Sequence, residues 1–215
     1  MEAARDRPHA TLPAMSPQGE AKPVGARRSW FGVMKTWCGW AIAAMTGAPR
    51  ATISGGLLPT DLDGVAVRLR RLHADIEHLS PEEFVRYCAR CEPLLFDVRG
   101  AEEFAVSHLA GARRIDPATS APAFLANHAS EVRGRAVVFY CSVGVRSSRL
   151  ASRIQADLRE HGAEGVYNLE GGLFRWHNEG RALIDAEGAT DRIHPYNASW
   201  GRFISRRACI TLTSR

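Results

Sequence analysis

The stretch Ala136-Val-Val-Phe-Tyr-Cys-Ser-Val-Gly-Val-Arg-Ser147 decides the fold, because its character changes at Cys141. The five residues before this cysteine are a continuous apolar run, which is typical of a strand buried on both faces of a parallel sheet. A short loop centred on Gly144 follows. A helical pattern then begins, in which apolar residues recur every four positions, at Leu150, Ile154 and Leu158. The sequence therefore predicts a strand, a tight loop and a helix over Ser147–His161.

The same alternation of apolar runs and helical segments continues on both sides of this stretch. Further strands are predicted over Ile76–Leu79, Leu94–Val98, Arg114-Ile115 and Val166–Leu169. Further helices are predicted after the capping box Ser80-Pro-Glu-Glu83, over Ala101–Val106, over Ala121–Ala129 and over Leu173–Asn178. Strands that alternate with helices predict an α/β fold: an open parallel sheet of about five strands with helices on both faces.

Three regions are predicted along the chain. Residues 63–193 form the α/β domain, and residues 194–215 form an aromatic C-terminal tail that either docks on the sheet or marks a partner surface. Residues 1–62 form a disordered or targeting extension that contains the apolar segment 30–48. That segment includes Lys35 and three glycines, which makes a membrane span marginal. We expect a cytoplasmic protein, with export or membrane anchoring through residues 27–48 as the alternative.

The net charge of +5 does not indicate a nucleic-acid partner. Residues 1–73 contain 10 Lys or Arg and 5 Asp or Glu, whereas residues 74–215 contain 18 of each. The positive excess therefore lies outside the α/β domain. A balanced domain has no electrostatic footprint for a polyanion, so no nucleic acid is expected as a partner.

The cysteine pattern does not predict a disulfide framework or a metal site. Five cysteines at irregular spacing leave at least one unpaired. Cys88 and Cys91 form a C-x-x-C, but no second pair lies at zinc-binding spacing. They also follow a predicted helix instead of opening one, unlike a redox motif. We expect two partly buried thiols at a helix end, no metal and no other cofactor.

The chemistry is predicted at Cys141, which lies where a buried strand ends. Ligands of open parallel sheets bind outside the carboxyl ends of the strands. A tight loop at Gly144 can turn its N–H groups inward, and the following helix adds its positive N-terminus. Arg146 adds a full positive charge. These features favour the thiolate and so a nucleophilic cysteine. The alternative is a structural cysteine buried at a strand end.

Three segments resemble single-domain rhodaneses, which are thiosulfate sulfurtransferase-like proteins. Residues 141–147 resemble the active loop C-x-x-G-x-R-S of this family. Residues 95–112 resemble its D-V-R…E-[FY]…G-H-I-x-G-A stretch, and residues 168–176 resemble its N-L-x-G-G…W segment. Ser107 stands where glycine is usual, and Ser142 stands where arginine is frequent. The second departure weakens the positive field for thiosulfate.

The resemblance implies a sulfurtransferase that works through a persulfide on Cys141. Sulfane sulfur would come from thiosulfate or a persulfide, and the acceptor would be cyanide or a thiol, including a protein thiol. The implied substrate-binding residues are those of the loop: Ser142, Val143, Gly144, Val145, Arg146 and Ser147. Ser147 is also suited to be the N-cap of the next helix. The implied supporting residues are the ion pair Asp97 and Arg99, and His108, which would fix a loop by a hydrogen bond.

Two other functions are weighed against this one. Cysteine-dependent phosphatases use C-x5-R, whereas Cys141 and Arg146 enclose only four residues, which makes a smaller cradle that suits a sulfane sulfur better than a tetrahedral phosphate. The remaining alternative is a non-catalytic or redox-sensing interaction module of the same fold, because a fold does not fix a function. The partners expected for the enzyme are a small anionic sulfur donor and a thiol acceptor, with membrane association possible through residues 30–48.

Overall fold

The structure is a computed structural model that describes residues 59–214. The expectations for the N-terminal extension up to residue 58, including the apolar segment 30–48, lie outside the described residues. Within residues 59–214, none of the helices combines the length and the apolar character needed to cross a membrane.

A five-stranded parallel sheet forms the centre of the described part. Its strands are β1 (Glu77–Leu79), β2 (Leu94–Asp97), β3 (Arg113–Arg114), β4 (Ala136–Tyr140) and β5 (Gly165–Leu169). They are ordered β1-β5-β4-β2-β3, and every neighbouring pair is parallel. All five residues of the central strand β4 are buried, as its continuous apolar sequence predicts.

Helices and a small hairpin surround this sheet. The helices are α1 (Leu62–Leu72), α2 (Pro81–Cys88), α3 (Ala101–Val106), α4 (Ala121–Val132), α5 (Val145–Glu160), α6 (Gly172–Asn178) and α7 (Ala198–Gly201). An antiparallel hairpin follows α6 and consists of β6 (Leu183–Asp185) and β7 (Gly188–Thr190). A 3-10 turn covers Arg207–Cys209. The predicted open α/β sheet is confirmed.

Each face of the sheet has its own apolar core, because successive side chains of β4 point to opposite faces. Val138 and Tyr140 face the core formed with α1, α2 and α6. Val137 and Phe139 face the core formed with α4 and α5. The first core also includes residues that follow the hairpin, namely Ile193, Phe203 and Ile204. The C-terminal segment therefore packs against the same face as α1 and α6.

The bounds of some elements differ from the sequence predictions. Helix α4 continues to Val132, three residues past its predicted end, because Val132 is fully buried against the sheet. Helix α5 begins at Val145, two residues before the predicted Ser147, since Gly144 already adopts the turn that starts it. The hairpin β6–β7 was not predicted. Its strands have three residues each, which is too short for a clear alternating pattern.

Candidate active site

The candidate site lies at the carboxyl edge of the sheet, where β4 ends. Cys141 follows β4 directly, and α5 begins four residues later. Asp97 ends the neighbouring strand β2, so its ion pair with Arg99 lies at the same edge. Because carboxyl ends of parallel strands meet at one edge, the fold brings the predicted loop and its predicted supporting pair to the same side of the domain.

A ring of donors surrounds the sulfur of Cys141. The backbone N–H of Gly144 donates to Cys141 Sγ at 3.2 Å. The backbone amides of Val143 and Ser147 and the hydroxyl of Ser147 also interact with this sulfur. The side chain is only 1% exposed, and its other neighbours belong to the apolar core under α4 and α5. The sulfur thus lies in a ring of loop amides at the N-terminus of α5, which is the geometry of an anion cradle.

Gly144 makes this ring possible because of its backbone conformation. Its φ of 99° is in the left-handed region, which a residue with a Cβ adopts only with strain. A Cβ at this position would lie 3.1 Å from Leu69 Cδ1 and 3.2 Å from Asn168 Nδ2. The sharp turn points the Gly144 amide back at the sulfur and allows α5 to start at the next residue.

Helix α6 holds the loop from the other side. The amides of Leu173 and Phe174 donate to the carbonyl oxygens of Cys141 and Ser142, at 2.8 and 2.9 Å. A Cβ on Gly172 would lie 2.2 Å from the carbonyl oxygen of Cys141, so only glycine allows this close approach. The backbone of the loop is therefore fixed by the N-terminus of a second helix.

The charge and the donors around the sulfur decide its protonation. Burial raises the pKa of the Cys141 thiol, whereas the positive charge of Arg146 and the amides of Ser147 and Val143 lower it, as does the Ser147 hydroxyl when it donates to the sulfur. The lowering contributions are the larger, and the pKa of Cys141 lies below its ordinary value. The site therefore favours a thiolate, which is the reactive form of cysteine.

Arg146 reaches the site as one half of an ion pair. Its Nη1 and Nη2 donate to the two carboxylate oxygens of Glu103, each at 2.7 Å, and Nη2 also donates to Ser142 Oγ at 2.9 Å. Burial raises the pKa of Glu103, but the Arg146 guanidinium outweighs it and holds that pKa below its ordinary value. Arg146 is thus anchored to α3, and Glu103 largely balances its charge.

The other loop residues predicted to bind substrate have separate roles in the structure. Ser142 Oγ donates to Glu103 Oε1 at 2.9 Å, and Val143 is buried in the core beneath α1 and α6. Val145 is the first residue of α5 and is half-buried. Ser147 lies inside the first turn of α5, and its hydroxyl donates to Asn168 Oδ1 at 2.6 Å. The interpretation of Ser147 as an N-cap is wrong, because Gly144 occupies that position.

The predicted supporting residues form the framework next to the loop. Asp97 and Arg99 are fully buried and form an ion pair at 2.6 Å, and Arg99 Nη2 also donates to the carbonyl oxygen of Ser107 at 2.6 Å. His108 stacks on Phe104 with ring centroids 3.8 Å apart. Its Nδ1 lies 3.0 Å from the carbonyl oxygen of Phe104, which fixes the turn at the end of α3.

Three residues at the site were not singled out from the sequence. Glu103 and Asn168 lie within the two segments that resemble rhodaneses, residues 95–112 and 168–176, but the resemblance assigned them no role. Tyr196 lay in the predicted aromatic tail, but no pattern linked it to Arg146. Its ring lies over the Arg146 guanidinium, with Cζ 4.6 Å from the ring centroid, and the side chain is 46% exposed. Its φ of 64° is left-handed, and its N–H donates to His194 Nδ1 at 3.0 Å.

The C-x-x-C pair lies away from this site. Cys88 ends α2, and both Cys88 and Cys91 are free thiols. Both thiols are exposed, so the expectation of partly buried thiols is wrong, although nearby atoms desolvate Cys88 enough to raise its pKa. Helix α2 starts after the carboxyl end of β1 and ends before the amino end of β2. The pair therefore lies near the opposite edge of the sheet from Cys141.

Comparison with known proteins gives one family match. Residues 80–179 match the family described as "Rhodanese-like domain". The uncharacterized protein YqhL of Bacillus subtilis is 36% identical over 99 residues, which is 46% of this chain and 70% of that protein. A tRNA uridine(34) hydroxylase of Bacillus pumilus is 31% identical over 99 residues, which is 45% of this chain but only 30% of that protein.

Among solved structures, a rhodanese-like domain protein from Staphylococcus aureus is similar. It is 24% identical, and the alignment covers 51% of this chain and 98% of that chain, with a TM-score of 0.40.

Proposed function

This chain belongs to the rhodanese-like family, and from that premise we propose that it is a sulfurtransferase that carries sulfane sulfur as a persulfide on Cys141. The observation that carries the proposal is the ring of donors around Cys141 Sγ, with the Gly144 amide at 3.2 Å. A ring of amides at a helix N-terminus stabilises a sulfur anion before the reaction and a terminal persulfide anion after it.

The proposed reaction has two steps and no net change of oxidation state. With thiosulfate as donor, the Cys141 thiolate attacks the outer sulfur, a new S–S bond forms, and the old S–S bond breaks with its electron pair leaving on sulfite. Cys141 is then a persulfide anion. In the second step an acceptor thiolate attacks the terminal sulfur, becomes a persulfide itself, and releases the Cys141 thiolate. Both steps follow the rules of thiol–disulfide exchange.

The charges at the site favour a donor of low charge. Arg146 is paired with Glu103, and Arg99 is paired with Asp97, so neither positive charge is left uncompensated. Thiosulfate has two negative charges to place in this site, whereas a small-molecule persulfide presents one at its terminal sulfur. We therefore expect loading from a persulfide to be faster than loading from thiosulfate.

A second candidate is a redox-sensing or docking module of the same fold. The observation in its favour is the burial of Cys141, whose side chain is 1% exposed. A buried thiol that reacts slowly with every donor would suit a module that binds a partner. Some relatives are named tRNA uridine(34) hydroxylase, but the match covers only 30% of the Bacillus pumilus protein. This partial match does not support hydroxylation as the function of this chain.

Mass spectrometry of the intact protein tests the proposal. The full chain is incubated with thiosulfate or with a small-molecule persulfide, and the mass is measured before and after addition of a dithiol acceptor. We expect a gain of one sulfur atom that the dithiol removes. Cys141→Ser should lose the gain, and the matched control Cys88→Ser should keep it. If no donor adds sulfur, the sulfurtransferase proposal is wrong and the docking module stands; if Cys141→Ser still gains sulfur, Cys141 is not the sulfur carrier and the proposal is also wrong.

A further inference from the structure

A series of three hydrogen bonds, the first of them buried, leads away from Cys141 through three elements. Ser147 Oγ, on α5, lies 2.6 Å from Asn168 Oδ1, on β5. Asn168 Nδ2 lies 3.2 Å from His78 Nδ1, on β1. His78 Nε2 lies 3.4 Å from the carbonyl oxygen of His73. Ser147 and Asn168 are fully buried, so the inner end of this hydrogen-bond series has no contact with solvent.

The carbonyl group of His73, at the far end of this hydrogen-bond series, fixes the direction of every hydrogen bond in it. A carbonyl oxygen only accepts, so His78 Nε2 carries the proton that points at His73. Burial lowers the pKa of His78, and in the neutral ring Nδ1 is then an acceptor. Nδ1 takes a proton from Asn168 Nδ2, which leaves Asn168 Oδ1 facing Ser147. The amide of Asn168 is thus held with its acceptor toward the active loop.

This orientation creates a competition for a single proton. The Ser147 hydroxyl has one hydrogen and two neighbouring acceptors, Asn168 Oδ1 at 2.6 Å and the sulfur of Cys141. While Asn168 Oδ1 receives the hydrogen, the sulfur meets only an oxygen lone pair from this side chain. The amides of the loop are then the donors that remain for the sulfur anion.

We propose that Asn168 and His78 are positioning residues that draw the Ser147 proton away from Cys141 and so limit the number of donors on its sulfur. This inference rests on the proposed nucleophilic role of Cys141. Its consequence is chemical, because the nucleophilicity of a thiolate falls as each further donor stabilises it. The amides and Arg146 make the thiolate available, and Asn168 keeps it reactive.

The packing around Asn168 holds the arrangement in place. The Cβ position of Gly144 is 3.2 Å from Asn168 Nδ2, so the amide lies directly against the turn of the active loop. Asn168 also sits on β5 with its backbone paired to both β1 and β4. The strand pairing fixes the backbone of Asn168, and the hydrogen bond to His78 fixes which end of the amide faces Ser147.

The test measures the pKa of Cys141 in variants of the full chain. The rate of alkylation by iodoacetamide is followed against pH, and mass spectrometry resolves the peptide that contains Cys141. Asn168→Leu removes the competing acceptor at similar volume, so the hydroxyl turns to the sulfur. We expect the pKa of Cys141 to fall by about one unit. In a protein that already carries Ser147→Ala, adding Asn168→Leu should cause no further change in the pKa of Cys141.

Two further variants keep the test decisive. His78 is half-buried, and His78→Leu frees the Asn168 amide to turn its donor toward Ser147. It should lower the pKa in the same direction, even if Asn168→Leu does not fold. Ser152→Ala is the matched control, because its hydroxyl lies on α5 and bonds to Asp75 instead. It should leave the pKa unchanged.

A pKa that stays constant or rises in His78→Leu and Asn168→Leu overturns the inference, and so does an equal shift with and without Ser147. Alkylation needs no sulfur donor. The inference can therefore fail while sulfur loading succeeds, and the proposed function can fail while the titration behaves as expected.

Discussion

Replacing Gly144 by alanine should both destabilise the protein and raise the pKa of Cys141. Gly144 has a φ of 99°, and a left-handed conformation costs a residue with a Cβ about 1 kcal/mol. The new Cβ would also lie 3.1 Å from Leu69 Cδ1 and 3.2 Å from Asn168 Nδ2, which adds overpacking of about 1–3 kcal/mol. We therefore expect a loss of about 2–4 kcal/mol in the free energy of unfolding.

The effect on the thiol follows from the same displacement. Relief of the crowding moves the loop and pulls the Gly144 amide from its 3.2 Å contact with the sulfur. Loss of one hydrogen bond to an anion should raise the pKa of Cys141 by about one unit. Urea denaturation gives the stability, and the pH dependence of Cys141 alkylation gives the pKa.

Gly134→Ala is the matched control for this prediction. Gly134 has a φ of 70°, but a Cβ there would meet no atom within 4 Å. It should therefore lose only about 1 kcal/mol and leave the pKa of Cys141 unchanged. If both variants lose the same stability and neither shifts the pKa, the tight turn at Gly144 does not hold the sulfur and the reasoning is refuted.

Three further predictions concern two ion pairs beside the site and one helix cap away from it. Asp97→Asn leaves the fully buried Arg99 without its carboxylate, so urea denaturation should show a loss of about 3–5 kcal/mol; a loss under 1 kcal/mol would contradict the scaffold role. The pKa of Glu103 is lowered in the folded protein, so its ion pair with Arg146 stabilises the fold at pH values above the ordinary pKa of a glutamate. This stabilisation is lost as the pH falls through the pKa that Glu103 has in the folded protein. Glu103→Gln should remove that part of the acid dependence and speed loading from thiosulfate by freeing Arg146, and an unchanged profile and rate would speak against the pair. Ser80→Ala removes the N-cap and capping box of α2 and should cost about 1 kcal/mol without changing sulfur loading, which the mass measurement would show.

Local sequence patterns were enough to predict the sheet and the position of Cys141 at its carboxyl edge. The apolar run of β4 needs burial on both faces, and the Gly-centred loop before an amphipathic helix leaves few places for Cys141 other than the carboxyl edge. The capping box at Ser80 is likewise a local signal, and its two hydrogen bonds are present at the start of α2.

The partners of the predicted side chains could not be found in the same way. Arg146 was predicted as a free charge, yet it binds Glu103, which is 43 positions earlier in the chain. Nothing local to either residue shows that α3 and α5 start side by side at one edge. Tyr196 reaches Arg146 only because the C-terminal segment packs across the face with α1 and α6. Such contacts depend on tertiary packing, which periodicity does not describe.

The pKa of Cys141 in the unmodified protein tests the central claim most directly. It is read from the pH dependence of alkylation at the peptide that contains Cys141, with Cys88 as the internal comparison. The amide ring and Arg146 predict a midpoint below the ordinary thiol value of about 8.5, and below that of Cys88, whose pKa is raised by partial desolvation of its exposed thiol. A midpoint for Cys141 at or above that of Cys88 would mean that the loop does not stabilise the thiolate.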